Sequence, residues 1–254
     1  MRGLRVVPAC AVELTLSALL GALRNAGLGE PHPVFAAGLR YPPPGRELDT
    51  TVRDELAEHR LLDRGDRLTD EFEDVLYALA RAETEHVAYV EDGVGHYGVL
   101  VAVRGRTAVR AVCSGERVRL RLAAGTHSLA HELVSALPQY APVEMPSLSL
   151  PQDEFREGDD GLYSAVAERS EAARAVDALF RESCCGAGEI TVAVREPGCR
   201  RRVSGDRLGY LDLASGRVAC TVSGPVGNRY LTVVPGTPDL LAQRVTGLRA
   251  QLGS

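Results

Sequence analysis

The stretch RLAAGTHSLAHELVSAL, Arg121 to Leu137, returns later in the chain as TVVPGTPDLLAQRVTGL, Thr232 to Leu248. Superposing the two puts Gly125 on Gly236, Thr126 on Thr237, Leu129 on Leu240, Val134 on Val245 and Leu137 on Leu248. Each copy reads as the end of a strand, a capped turn and a helix with an apolar stripe. A chain that says this twice must build two similar units, each with a sheet edge and an apolar face to cover.

The surroundings of the echo extend it. Leu16, Leu19, Leu20 and Leu23 have helical spacing within 14–26, and LRVVPACAVELT before them supplies a strand. LGEPHPVFAAGLRYPPPGRELD is Pro-rich and extended, which places it on the surface. Helices follow over 51–60 and 71–81, around a turn at Gly65, with Thr69 or Asp70 as the second cap. The period then changes to two. Strands over 87–90, 97–103, 107–113 and 117–122 form an antiparallel meander, and Thr126 caps a helix ending near Leu137.

Pro138 to Pro151 reads as a hinge. Beyond it the order repeats: a helix over about 162–181, a strand in GAGEITVAVRE, strands over 209–213, 217–221 and 229–234, and a helix capped by Thr237 with Pro238 in its first turn. Leu120 falls on Leu231, Leu122 on Val233, and Val112 on Val222 with a shift of one residue. The expected fold is α+β: one domain over 1–254, with halves of about 1–138 and 152–254 forming a pseudo-twofold antiparallel sheet flanked by helical bundles.

Composition narrows the class of function. A formal net charge of −5 disfavours general nucleic-acid binding, and all 29 basic residues are arginine. No run approaches the roughly 20 apolar residues that a membrane span needs. MRGLRVVPACAVELTLSALLGAL lacks the apolar core of a signal peptide, so the expected location is the cytoplasm and no membrane insertion is expected. The six cysteines have no CxxC spacing and read as reduced thiols, with the adjacent pair Cys184 and Cys185 as a redox candidate.

The candidates for chemistry are weak. His127 and His131 lie one helical turn apart, and HELVS resembles HExxH, but Ser135 replaces the second histidine. An exposed helix face explains His127, His131 and Glu132 more simply. Gly93, Gly95 and Gly98 match GxGxxG, yet a β-rich run follows them where a dinucleotide loop would open a helix, so a hairpin turn is expected. Glu71 with Glu73, and Asp159 with Asp160, read as helix starts or loops. No metal, cofactor or catalytic set is expected.

Arginine is more informative. Strict alternation in RVRLRL puts Arg117, Arg119 and Arg121 on one face and Val118, Leu120 and Leu122 on the other, and REPGCRRRVSGDR adds a second basic run at a hairpin. These are either solvated surfaces or a site for an acidic or polar protein. Single-stranded nucleic acid would want aromatic rings among them, and none is interleaved.

Several strings resemble the EspG family of type VII (ESX) secretion-associated proteins of actinobacteria. GDRLGYLDLASGRVACTVSGPVGNRYLTVVPGTPDLLAQRVTGLRAQL is similar to the family's closing pattern L-x-Y-x-D-x-x-x-GR, a V-x-P strand end and a last helix. LAEHRLLDRGDRLTDEFEDVLYALA resembles its helix pair, VAVRGRTAVRAVCSGERVRL its meander, and GAGEITVAVRE a strand start. The family's frequent final-strand tryptophan is missing, and the RGR loop, long in some members, is short. The likeness covers roughly residues 10–252.

This resemblance implies a cytosolic chaperone with no enzymatic activity. Its client would be a PPE-type helical substrate, usually within a PE/PPE pair, whose apolar hairpin tip it keeps soluble for export. The alternatives from the residues alone are a binding or scaffold module with another protein partner, or a metal-dependent hydrolase. A homodimer is left open. The expected partner-binding residues are Arg104, Arg106, Arg200, Arg201, Arg202, Asp206 and Arg207, with charge reversal at Arg201 and Arg202 expected to weaken binding and leave thermal stability unchanged.

Overall fold

A computed structural model describes residues 11–35, 48–123, 128–156, 170–195 and 200–253. In the first half, β1 (Val12–Thr15) leads into α1 (Leu16–Asn25), α2 (Thr50–Glu58) and α3 (Asp70–Ala80). The meander follows as β2 (Thr84–Asp92), β3 (Gly95–Arg104), β4 (Thr107–Ser114) and β5 (Arg117–Leu122), then α4 (Leu129–Val134). The second half has β6 (Leu148–Pro151), α5 (Gln152–Arg156), α6 (Glu171–Phe180), β7 (Cys184–Val194), a two-residue β8 (Arg202–Val203), β9 (Leu208–Leu213), β10 (Gly216–Ser223), β11 (Tyr230–Pro235) and α7 (Pro238–Leu252).

These strands form one sheet in the order β1-β5-β4-β3-β2-β7-β9-β10-β11-β6, with β8 added to the end of β7. Read outward from the antiparallel β2–β7 joint, the two sides match strand for strand. The register matches too. Ala111 opposes Leu120 as Val222 opposes Leu231, and Val109 opposes Leu122 as Cys220 opposes Val233. The echo therefore holds across this strand pair at one constant offset. Ala111, not Val112, is the counterpart of Val222, because cross-strand pairing rather than residue likeness sets the equivalence.

Alternation along the strands divides the core into layers. Ala88, Val101, Ile190 and Val192 point to one face, where α4 and α7 cover the joint through Leu133, Leu241 and Val245. On the other face α1 and α3 pack Leu19, Leu23, Phe72 and Leu76 over Leu100, Val109 and Leu120. There α6 packs Ala173 and Val176 over Leu150, Val218 and Leu231. Each fully buried large apolar side chain contributes about 1.5–3 kcal/mol. Caps fix where the helices start. Thr15 accepts from the Ala18 amide while its hydroxyl donates to Glu55 of α2 at 2.6 Å, which ties two helices of the bundle together.

Four local expectations change. The cap of α4 is Ser128, whose side chain accepts from the His131 amide; Thr126 lies outside the described residues. Thr237 caps α7 as expected. Glu132 is buried rather than on an exposed face, because Arg110 at 3.1 Å compensates its charge. The Pro-rich stretch after α1 does not begin on the surface: Leu28, Val34 and Phe35 are buried, and Val34 covers β3 where Gly98 has no side chain. The supposed hinge is also more than a connector, since its last residues form β6, paired with β11.

Two buried polar features stand out. Asp212 and Arg217 face each other across the β9–β10 hairpin, Nε to Oδ1 at 2.6 Å and Nη2 to Oδ2 at 2.8 Å. The guanidinium lies 4.4 Å from the centre of the Tyr210 ring. Two glycines make this stack fit. A Cβ on Gly188 would fall 2.2 Å from the Tyr210 ring, and one on Gly236 would fall 2.3 Å from Arg217 Cγ. Tyr210, Asp212, Gly216 and Arg217 are the distinctive residues of the L-x-Y-x-D-x-x-x-GR string. Asp212→Leu alone should lower stability by about 3–5 kcal/mol because it leaves a buried unpaired guanidinium. Asp212→Leu with Arg217→Met should cost far less, which urea midpoints at constant m will show.

His86 is the second feature. It is buried beneath α7, and neither ring nitrogen has a hydrogen-bond partner. Burial, with a smaller push from Arg249, holds its pKa down at about 4, against 6.5 for a free histidine. The unfolded chain therefore takes up a proton at this residue below pH 6.5 while the folded chain does not until about pH 4. Stability falls as pH drops through that window, by about 3 kcal/mol at its lower end. His86→Val should flatten the pH dependence of the denaturation midpoint between pH 7 and pH 4.5 by most of that amount.

Candidate protein-binding groove

The open surface of this fold lies opposite α4 and α7, along the β2–β7 joint. Tyr89 and Glu91 of β2, and Ala187 and Glu189 of β7, point away from the α4–α7 core because Ala88, Val90 and Ile190 alternate into it. The α1–α3 bundle and α6 cover the flanking strands, and the central strands between them stay open. A groove of about 580 Å³ results. Phe180 at the end of α6 forms one wall, and Leu211 and Tyr89 supply apolar surface. Gly209, opposite Glu189, leaves part of the floor as bare backbone, since a Cβ there would meet backbone oxygens at 3.8 Å and beyond.

The groove carries a few charges on mainly apolar ground. Arg207 Nη1 donates to Glu189 Oε1 at 2.8 Å, and His96 sits 3.8 Å from Glu91. Tyr89 is 45% exposed, enough for a partner to cover most of a ring. Partial burial raises its phenol pKa, so it stays neutral as a donor at physiological pH. Such a surface can bury an apolar projection and satisfy a few polar groups at its edge.

The structure gathers most of the expected arginines at one end of the sheet but gives them different roles. Arg202 opposes Val194, Val194 opposes Thr84, Thr84 opposes Val103, and Arg104 follows. Arg104 stacks on Tyr77 at 5.3 Å, and with Arg106 borders a separate depression beside α3. Asp206 accepts from Gln251 of α7 at 3.1 Å. Arg200 and Arg202 are exposed. Of the seven, Arg207 lines the groove.

Arg201 is committed to the fold. Its Nε donates to Glu85 Oε2 at 2.6 Å, and His32 Nε2 approaches the same oxygen at 3.4 Å. The Val34 amide donates to His32 Nδ1 at 3.2 Å, which leaves the ring's proton on Nε2, facing Glu85. Burial pushes the Glu85 carboxyl up, but the hydrogen bonds from His32 and Arg201 outweigh it and hold the pKa below the ordinary value.

Other sequence candidates resolve as structure. Gly93 and Gly95 make the β2–β3 hairpin turn, where Asp92 accepts from the amides of Val94 and Gly95. Glu71 and Glu73 sit in the first turn of α3. Ser128 Oγ lies 2.7 Å from His131 Nδ1, and His131 Nε2 lies 3.6 Å from Asp239, but that serine oxygen is the cap of α4. His127, Asp159 and Asp160 lie outside the described residues. Arg117, Arg119 and Arg121 do share a face, where Arg119 meets Glu13 and Arg121 approaches Glu132. Among the described residues no group of three or more His, Cys, Asp or Glu is arranged to hold a metal ion.

The groove residues Tyr89, Phe180 and Leu211 escape the sequence reading. A run of 87–90 understates β2, which spans Thr84–Asp92. An aromatic on the polar-alternating side of a central strand was the available signal.

An α+β protein with a twofold-like sheet, two unequal bundles and an open central groove is a scaffold for binding another protein. The chain belongs to the EspG family, whose sequence profile matches residues 15–247. Its fold is that of the Mycobacterium tuberculosis type VII secretion system chaperone EspG5, solved in complex with a PE25-PPE41 dimer. That likeness has a TM-score of 0.72 at 14% identity and covers 93% of this chain and 95% of that one. No curated protein matches the chain.

Arg201→Glu should lower the melting temperature by several degrees, a loss of about 2–3 kcal/mol, because it sets a carboxylate against buried Glu85. Arg202→Glu, at an exposed position, should leave the transition in place. Differential scanning calorimetry of the two variants separates the structural arginine from its neighbour.

Proposed function

We propose that this chain is a chaperone of type VII secretion that holds the apolar helical tip of a PPE-type substrate, alone or within a PE/PPE pair, and keeps it soluble for export. The carrying observation is the groove over β2 and β7: apolar, open, edged by a few charges, and walled by α6. Family membership and the shared fold with a chaperone solved on a PE–PPE dimer support the same reading.

The physical task needs no bond-making chemistry. A helical hairpin that ends in apolar side chains aggregates if its tip stays in water. Covering that tip with Tyr89, Leu211 and Phe180 removes the exposed patch, at about 25 cal/mol for each Å² of apolar surface buried. Binding rather than catalysis is the activity, and holding a client before export is a task for the cytoplasmic side. Among the described residues no helix is long and apolar enough to cross a membrane.

The test is capture of a PPE-type substrate co-expressed with its PE partner. Wild type should co-purify with the pair. Tyr89→Asp should weaken binding at least tenfold, about 1.4 kcal/mol or more, with an unchanged melting temperature. Arg106→Glu, away from the groove, should bind as wild type does. Recovery of no helical-hairpin substrate by wild type would sink the proposal, and normal capture by Tyr89→Asp would move the interface elsewhere.

A further inference from the structure

Cys184 and Cys185 open β7, and the groove makes no use of their thiols. In a regular strand consecutive side chains point to opposite faces, so adjacent cysteines would be separated by the sheet. Here the register breaks between them. Cys184 opposes Leu213 and Gly186 opposes Asp212, which makes Cys185 the extra residue of a β-bulge.

The bulge brings the two thiols to the same face. Directly opposed residues of an antiparallel pair share a face, and Leu213 packs in the core beneath α6, so Cys184 points to that side. Ala187 opposes Leu211, which packs against the same core, and Cys185 alternates with Ala187 onto the same side. Both cysteines are free and exposed. The β2 strand ends at Asp92, opposite Gly186, so its ladder stops short of the pair. Their Cα atoms are about 3.8 Å apart, as in any trans dipeptide, and side chains leaving the same face from that separation can close on one atom.

The neighbours leave this pair accessible. Cys184 Sγ donates to the Gly186 carbonyl at 3.2 Å, a weak bond easily given up. The Tyr140 hydroxyl donates to the Leu213 carbonyl at 2.9 Å and also touches the Cys185 thiol. The next residues of β7, Ala187 and Gly188, line the groove, so the pair stands at the groove's end.

We propose that Cys184 and Cys185 form a two-thiol site for a trivalent, thiophilic ligand of the organoarsenical class. With an arsenoxide, two As–S bonds form as both S–H bonds break, and the arsenic's oxygen leaves as water carrying both protons. Arsenic stays trivalent, with its organic substituent in the third position, so two protein donors suffice. A single surface thiol gives a monodentate adduct that a competing monothiol removes, whereas a chelate resists it.

The probe is phenylarsine oxide, added to the full chain under reducing conditions with excess 2-mercaptoethanol and followed by intact-protein mass. Wild type should retain one phenylarsenic group per chain, released by a competing dithiol. Peptide mapping should place it on the segment containing Cys184 and Cys185. Cys184→Ser and Cys185→Ser should each lose it, while Cys10→Ser, Cys199→Ser and Cys220→Ser keep it. No monothiol-resistant adduct on wild type, or one that maps to another segment or persists in both single variants, overturns the proposal. The mapping on wild type decides even if a serine variant folds poorly.

Discussion

The antiparallel pairing of β2 with β7 is the contact on which the rest of the molecule depends. It joins two half-sheets that would otherwise each end in a bare central edge, and it makes them one continuous surface. On one side that surface is sealed by α4 and α7, contributed one from each half, so the core over the joint belongs to both. His86 shows how dry this region is: a histidine held there stays neutral until about pH 4.

On the other side the symmetry is incomplete, and the groove follows from that. The first half brings three helices and the covered segment around Val34 and Phe35, while the second brings α5 and α6. Neither bundle reaches across the joint. Tyr89 and Glu189 are therefore left facing solvent on strands whose opposite face is core. A binding surface built in this way is rigid, because its floor is the most heavily paired part of the sheet, and rigidity lowers the ordering cost of holding a partner.

Much of the architecture is legible in the residues. Period-two alternation marks the strands and apolar spacing marks the helices. Thr69 and Thr237 mark two helix starts, and the echoed strand–turn–helix marks the repeat. The errors share a cause. Thr126 and Ser128 are both chemically fit to cap α4, and local chemistry does not choose between them. Glu132 reads as a solvated acid until Arg110, from another strand, is found beside it. Arg201 and Arg202 are indistinguishable as neighbours in a basic run, yet one meets buried Glu85 and the other meets water.

The sequence by itself determined the class of fold, the doubling of the unit, the paucity of catalytic groupings and the family. It could do so because these depend on periodicity, spacing and residue type, which are local. Only the tertiary structure decided which arginine is structural, that Tyr89, Leu211 and Phe180 share one groove, and that the bulge brings two adjacent cysteines to one face. Each of those is set by strand register and by what packs on which side of the sheet, and a shift of one residue would reverse it.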